Sequence, residues 1–161
     1  MYGANPQSRQ AQRILQAGIA LMLFASVEGF VIPAAASPRI ALSVHTLGAS
    51  QSVLLLALGL VWPRLRLGSR ALAIAFWTLL YSTIAILAAY AIAAIWGVGN
   101  GTITLMGELP HGLSHGTEVQ ETVIRVVAYS SAPTGLTAFA LILWGLRGDG
   151  TETPTSGASA G

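Results

Sequence analysis

The stretch ALAIAFWTLLYSTIAILAAYAIAAIWGV, residues 71–98, decides how this chain is read. It runs for 28 residues without a charged side chain. An α-helix needs about 20 apolar residues to cross the hydrocarbon of a bilayer, so this stretch can span it with some tilt. Three more apolar stretches share its character. Residues 14–32 are interrupted only by Glu28 and closed by Pro33; residues 40–62 contain His45 and Gln51 and are closed by Pro63; residues 122–146 have Arg125 near their start and Pro133 inside. Helices of a water-soluble bundle show a polar face, which these stretches lack. The expected fold class is all-α, an integral membrane four-helix bundle.

The composition agrees. The 161 residues are 53% hydrophobic and 9% charged, with no cysteine, whereas soluble domains are about a quarter charged. The missing cysteine excludes a disulfide scaffold, a thiolate metal site, a Cys nucleophile and covalently attached c-type haem. A net charge of +2 is too small for a nucleic-acid surface. No phosphate-binding loop, dinucleotide glycine motif or nucleophile elbow is present.

All eight basic residues are arginines. Arg9 and Arg13 precede the first span, Arg64, Arg66 and Arg70 separate the second from the third, and Arg147 follows the fourth. The first loop carries only Arg39, and the third carries Glu108, Glu118 and Glu121. The positive-inside rule therefore places both termini in the cytoplasm. The first span continues to Pro33 without a good cleavage site and is expected to be retained rather than removed as a signal peptide. The expected organisation is a disordered segment over 1–12, a transmembrane domain over 13–147 and a disordered Gly/Ser/Thr-rich tail over 148–161. Trp62, Trp77, Trp96 and Trp144 lie near span ends, where interface anchors belong.

Polar groups at membrane depth are functional candidates. With this orientation Glu28, His45, Tyr90 and Arg125, one from each span, fall in the outer half, while Gln51 and Tyr81 lie nearer the midplane. At 100° per residue, Ala41, His45, Gly48, Ala49, Ser52 and Gly59 share one helix face. Small residues around a histidine admit close approach by another helix or by a flat ligand such as a porphyrin. Spacing leaves two readings of His45, a neutral histidine bonded to a neighbouring helix or a metal or haem ligand. No HxxxH or HExxH spacing supports a multi-ligand zinc site, whereas one axial histidine suffices for haem. Glu28 meets either a lipid headgroup or a backbone partner. Tyr81 and Tyr90 are either core aromatics or hydrogen-bonding groups of a site. Arg125 either snorkels to the surface, pairs with Glu121 one turn earlier, or holds an anionic group such as a haem propionate. His111 and His115 sit in a Gly-rich loop and are expected to be solvated.

Several blocks in order resemble hydroxylaminobenzene mutase: His45-Thr-Leu-Gly48-Ala-Ser-Gln51, Leu58-Gly-Leu-Val-Trp-Pro63-Arg-Leu-Arg-Leu67, Ala75-Phe-Trp-Thr-Leu-Leu-Tyr81-Ser-Thr, Trp96-Gly-Val-Gly99, Gly116-Thr-Glu-Val-Gln120-Glu121 and Leu143-Trp-Gly-Leu146. The resemblance covers roughly residues 12–147. More distantly the chain is similar to styrene oxide isomerase, a four-span membrane enzyme that forms a homotrimer with haem b between subunits. The resemblance implies haem b with His45 as axial ligand to the iron, Tyr90 as a catalytic residue and Gln51 in the amide role; the helix face and charge read above add Gly48, Ala49, Ser52 and Arg125 as expected cofactor-binding residues, and Tyr81 is expected among the catalytic ones. The resemblance also implies the bacterial inner (plasma) membrane and a small aromatic substrate. Both families have asparagine where this chain has Gln51, and another near Ile86, which cannot hydrogen-bond. The implied activity is a redox-neutral rearrangement assisted by haem iron as a Lewis acid, most directly of an arylhydroxylamine to an aminophenol. The alternatives are an aryl epoxide to aldehyde isomerase or a non-enzymatic membrane haem protein.

Overall fold

The computed structural model describes residues 5–99, 101–103 and 116–147. Among them every regular element is helical: α1 (Pro6–Glu28), α2 (Pro38–Val61), α3 (Ser69–Trp96) and α4 (Glu118–Gly145), with short 3-10 turns at Ile32–Ala34 and Trp62–Arg64. The 148–161 tail and the loop histidines His111 and His115 lie outside the described residues.

Three helical segments are long and apolar enough to cross a membrane: Pro38–Arg64, Ser69–Trp96 and Glu118–Gly145. Helix α1 differs from the expected first span at both ends. It begins at Pro6, inside the segment expected to be disordered, because Asn5 caps it by accepting from Gln7 N–H at 3.2 Å and proline suits the first helical position. It stops at Glu28, four residues short of the expected end. Gln7, Arg9, Gln10, Gln12, Arg13 and Gln16 make its first half too polar for a hydrocarbon span.

Helix α1 packs antiparallel along α2, and α3 along α4; the two hairpins meet through α2 and α3. Small residues set the close approach of the first pair. A Cβ on Gly59 would stand 2.8 Å from Leu15 Cγ, and one on Gly48 would stand 3.3 Å from Ala25 Cβ. Helix α3 ends where Gly97 turns left-handed at φ 67°, a conformation glycine adopts without penalty. Helix α4 starts with a reciprocal cap between Thr117 and Gln120.

Two buried clusters fill the interior. One gathers Ile14, Leu55, Trp62, Phe76, Leu79 and Ile142 near the α2–α3 turn; the other gathers Ile40, Val44, Ala93, Val98 and Ile124 at the opposite end. Trp62 is fully buried, edge-on to Phe76 and bonded through Nε1 to Gln10. It belongs to the core, whereas Trp77 and Trp144 remain exposed. Gln7 Nε2 donates to the carbonyls of Trp62 and Leu65 at 2.9 and 3.0 Å, and Arg66 N–H donates to Gly145 at 2.8 Å. These bonds bring the start of α1, the α2–α3 turn and the end of α4 to one end of the molecule. That end carries Arg9, Arg13, Arg64, Arg66, Arg70 and Arg147.

Candidate functional site

His45 lies in the second turn of α2 and faces the end of α1. Its Nδ1 is 2.8 Å from the carbonyl oxygen of Ala25 and 3.7 Å from Glu28 Oε2. A carbonyl can only accept, so Nδ1 carries a proton in this contact, which leaves Nε2 with the lone pair in a neutral ring. The adjacent Gly29 leaves room for the ring: a Cβ there would meet both His45 Cε1 and Nδ1 at 3.2 Å. The side chain stays 37% exposed, enough for a group outside the chain to reach it. The reading of His45 as a histidine bonded to a neighbouring helix is met through Nδ1.

The donor set fits a histidine that would hold a haem iron. Metal-bound histidines characteristically donate their second N–H to a carbonyl or carboxylate, and Ala25 and Glu28 present both. Among the described residues no group of three or more His, Asp or Glu converges, so a multi-ligand protein metal site is not built there. The small-residue face around His45 is occupied by α1 rather than left free. Gly48 is covered by Ala25, and buried Ser52 donates to Ala49 at 2.7 Å and contacts Met22 Sδ at 3.6 Å.

The other candidates lie elsewhere in the chain. Tyr90 lines a cavity of about 340 Å³ together with Arg39, Ser43, Thr46, Leu47, Ser50 and Ile103. On α2, residues 43, 46, 47 and 50 project about 150° away from His45 at 100° per residue, so this cavity and the histidine sit on opposite faces of the helix. Gln51 is half-buried and is not among that lining. Tyr81 is on the α3–α4 side, with its hydroxyl 2.9 Å from Ser130 Oγ. Ser130 Oγ itself donates to Val127 O at 2.9 Å, so Tyr81 is the donor. Arg125 is exposed, and the pairing with Glu121 is not made; Glu121 Oε1 instead accepts from Gly99 N–H at 2.9 Å. Of the four groups expected at one depth, Glu28 and His45 come together, whereas Tyr90 lines a cavity on another face of α2 and Arg125 is exposed.

Three features escaped the sequence reading. The polar wall of the Tyr90 cavity follows the spacing Arg39, Ser43, Thr46, Ser50, a stripe legible at helical period. The Glu28–His45 contact was foreshadowed only by their similar depth. The Ala25 carbonyl left no signal, because backbone acceptors carry none.

Comparison with known proteins supports one family. The model of the styrene oxide isomerase family matches residues 10–147. Hydroxylaminobenzene mutase HabB of Ectopseudomonas oleovorans is 39% identical over 94% of this chain and 90% of its own length. Hydroxylaminobenzene mutase HabA of the same organism is 29% identical over 83% of this chain and 96% of its own. No solved structure matches the chain significantly. Nearly the whole described helical region is thus matched, and the chain belongs to the styrene oxide isomerase family as an intramolecular isomerase or mutase.

Proposed function

We propose that the protein is a four-helix membrane isomerase that converts an arylhydroxylamine to an aminophenol, with haem b held by His45. The observation that supports the reading is the bond of His45 Nδ1 to the Ala25 carbonyl, which suits Nε2 as the ligating nitrogen, in a chain similar to two hydroxylaminobenzene mutases. The clustering of six arginines at one molecular end supports membrane insertion with both termini cytoplasmic. The exposed apolar residues of α4, among them Val126, Leu136, Phe139 and Leu143, suit lipid or a second copy.

When bound, haem b supplies a Lewis-acidic iron toward the substrate oxygen. The protein supplies the rest. His45 Nε2 anchors the cofactor, and Ala25 with Glu28 sets the ring's orientation. Tyr90 offers a phenolic proton to the departing oxygen. Gln51 orients the substrate, its amide matching the asparagine of the family with one extra methylene. Ile86 closes the position of the family's second asparagine with an apolar wall. Arg125, exposed and cationic, suits a propionate. The N–O bond breaks, a ring C–O bond forms and one ring hydrogen is exchanged for an N–H, so no oxidant or reductant is consumed. Gly48, Ala49 and Ser52 serve by holding α1 close against the back of His45, and Tyr81 by tying α3 to α4.

His45 and the Tyr90 cavity lie on opposite faces of α2, an arrangement that favours a site completed between copies. A homotrimer joining the His45 of one copy to the Tyr90 of the next satisfies it.

A second reading, aryl epoxide to aldehyde, is favoured by the description of the family model across residues 10–147. Purified protein given phenylhydroxylamine or styrene oxide separately, without oxygen or reductant, divides the two. Aminophenol from the first substrate supports the proposal, aldehyde from the second alone transfers the assignment, and turnover of neither overturns both.

A further inference from the structure

Glu28 is a carboxyl group in an unfavourable place. Its side chain is only 11% exposed. Its Oε2 is closed to solvent and has no hydrogen-bond partner among the described residues. One face of the residue borders an apolar cavity of about 330 Å³ whose walls include Phe24, Val27, Val44 and Ile95. Burying a carboxyl oxygen without a partner costs free energy, and an ion-pairing group is what normally compensates a charge there. The polar group at hand is His45 Nδ1 at 3.7 Å, already bonded to Ala25 O at 2.8 Å. The single ring proton thus faces two acceptors, a full bond to the carbonyl and a longer approach to the carboxylate.

We propose that Glu28 is a positioning residue for His45: its carboxylate holds the imidazole against α1 and strengthens Nε2 as an electron donor to the iron. The proposal rests on the reading of His45 as the haem ligand. A carboxylate beside the far N–H of a ligating imidazole raises the basicity of the ligating nitrogen, and a more electron-rich axial ligand favours ferric over ferrous iron. Glu28 touches neither substrate nor iron; it acts through His45.

The test compares the parent with Glu28→Gln, which keeps shape and removes charge, and Glu28→Asp, which keeps charge on a shorter arm. Each is purified in detergent, checked for helical content and titrated with haem b. Glu28→Gln is expected to bind haem about 10-fold more weakly and to raise the haem midpoint potential, with Glu28→Asp returning the potential toward the parent. In haem-free protein, the Nδ1 proton resonance of His45 is expected to move upfield in Glu28→Gln. Unchanged affinity, potential and resonance in a folded Glu28→Gln overturn the role of Glu28 while leaving His45 as ligand. A parent that binds no haem overturns this role and the cofactor assignment together.

Discussion

His45 Nδ1 and the Ala25 carbonyl oxygen are 2.8 Å apart, and this bond links the second turn of α2 to the last turn of α1. It forms where α1 ends: Ala25 O also accepts from Gly29 N–H at 3.1 Å, and its second lone pair serves His45. The bond calls for a proton on Nδ1, so the same contact that closes the helix pair also orients the imidazole.

Gly29 is the position at which this relationship is most easily disturbed. A methyl there would stand 3.2 Å from two atoms of the His45 ring, and the ring must give way. Gly29→Ala is expected to lower haem affinity about 10-fold without loss of helix, measured by haem titration beside far-UV circular dichroism.

The fit of α1 on α2 depends on Gly59 in the same steric sense but far from the ligand. Gly59→Ala brings a Cβ within 2.8 Å of Leu15 Cγ, and overpacking of this kind costs about 1–3 kcal/mol. The expected result is a lower unfolding midpoint in detergent. Gly68→Ala, with nothing within 4 Å, is the control and is expected to change stability by less than ~0.5 kcal/mol.

The two tyrosines should separate in function. Tyr90 borders the cavity beside Ser43 and Ser50, so Tyr90→Phe is expected to reduce turnover by about 10²–10⁴-fold with haem content unchanged. Tyr81 donates to Ser130 between α3 and α4. Tyr81→Phe is expected to cost about 0.5–1.5 kcal/mol of stability while keeping turnover. Steady-state rates and unfolding midpoints of both variants check the contrast; equal turnover losses would return Tyr81 to the catalytic set.

Glu121 holds the turn after α3 through Gly99 N–H at 2.9 Å. Glu121→Ala removes a charged acceptor, and such bonds contribute about 1.5–3 kcal/mol. A correspondingly lower unfolding midpoint is expected.

Much of the fold was legible in the sequence because solvent chooses composition. Residues 71–98 have no charge to place, and the helix found there, Ser69–Trp96, departs from the expected limits by two residues at each end. Helix α1 was legible only in part: hydropathy marked its apolar half, while its start rests on the Asn5 cap and the Gln7 bonds to the α2–α3 turn. Trp62 looked like an interface anchor by position, but Phe76 and Gln10 draw it inward. His45 was legible as a candidate, and its surroundings were not. Depth along a helix follows from counting residues, whereas direction around it depends on packing, which sends His45 toward α1 and the Tyr90 cavity to the other face.

The central claim is that His45 carries haem in an isomerase, and the absorption spectrum of the haem-reconstituted protein tests it most directly. The parent is expected to show the Soret band of a histidine-ligated haem b, and His45→Ala to lose it or shift it under equal loading. A parent with no Soret band, or a His45→Ala variant with full haem content and an unaltered spectrum, would contradict the account.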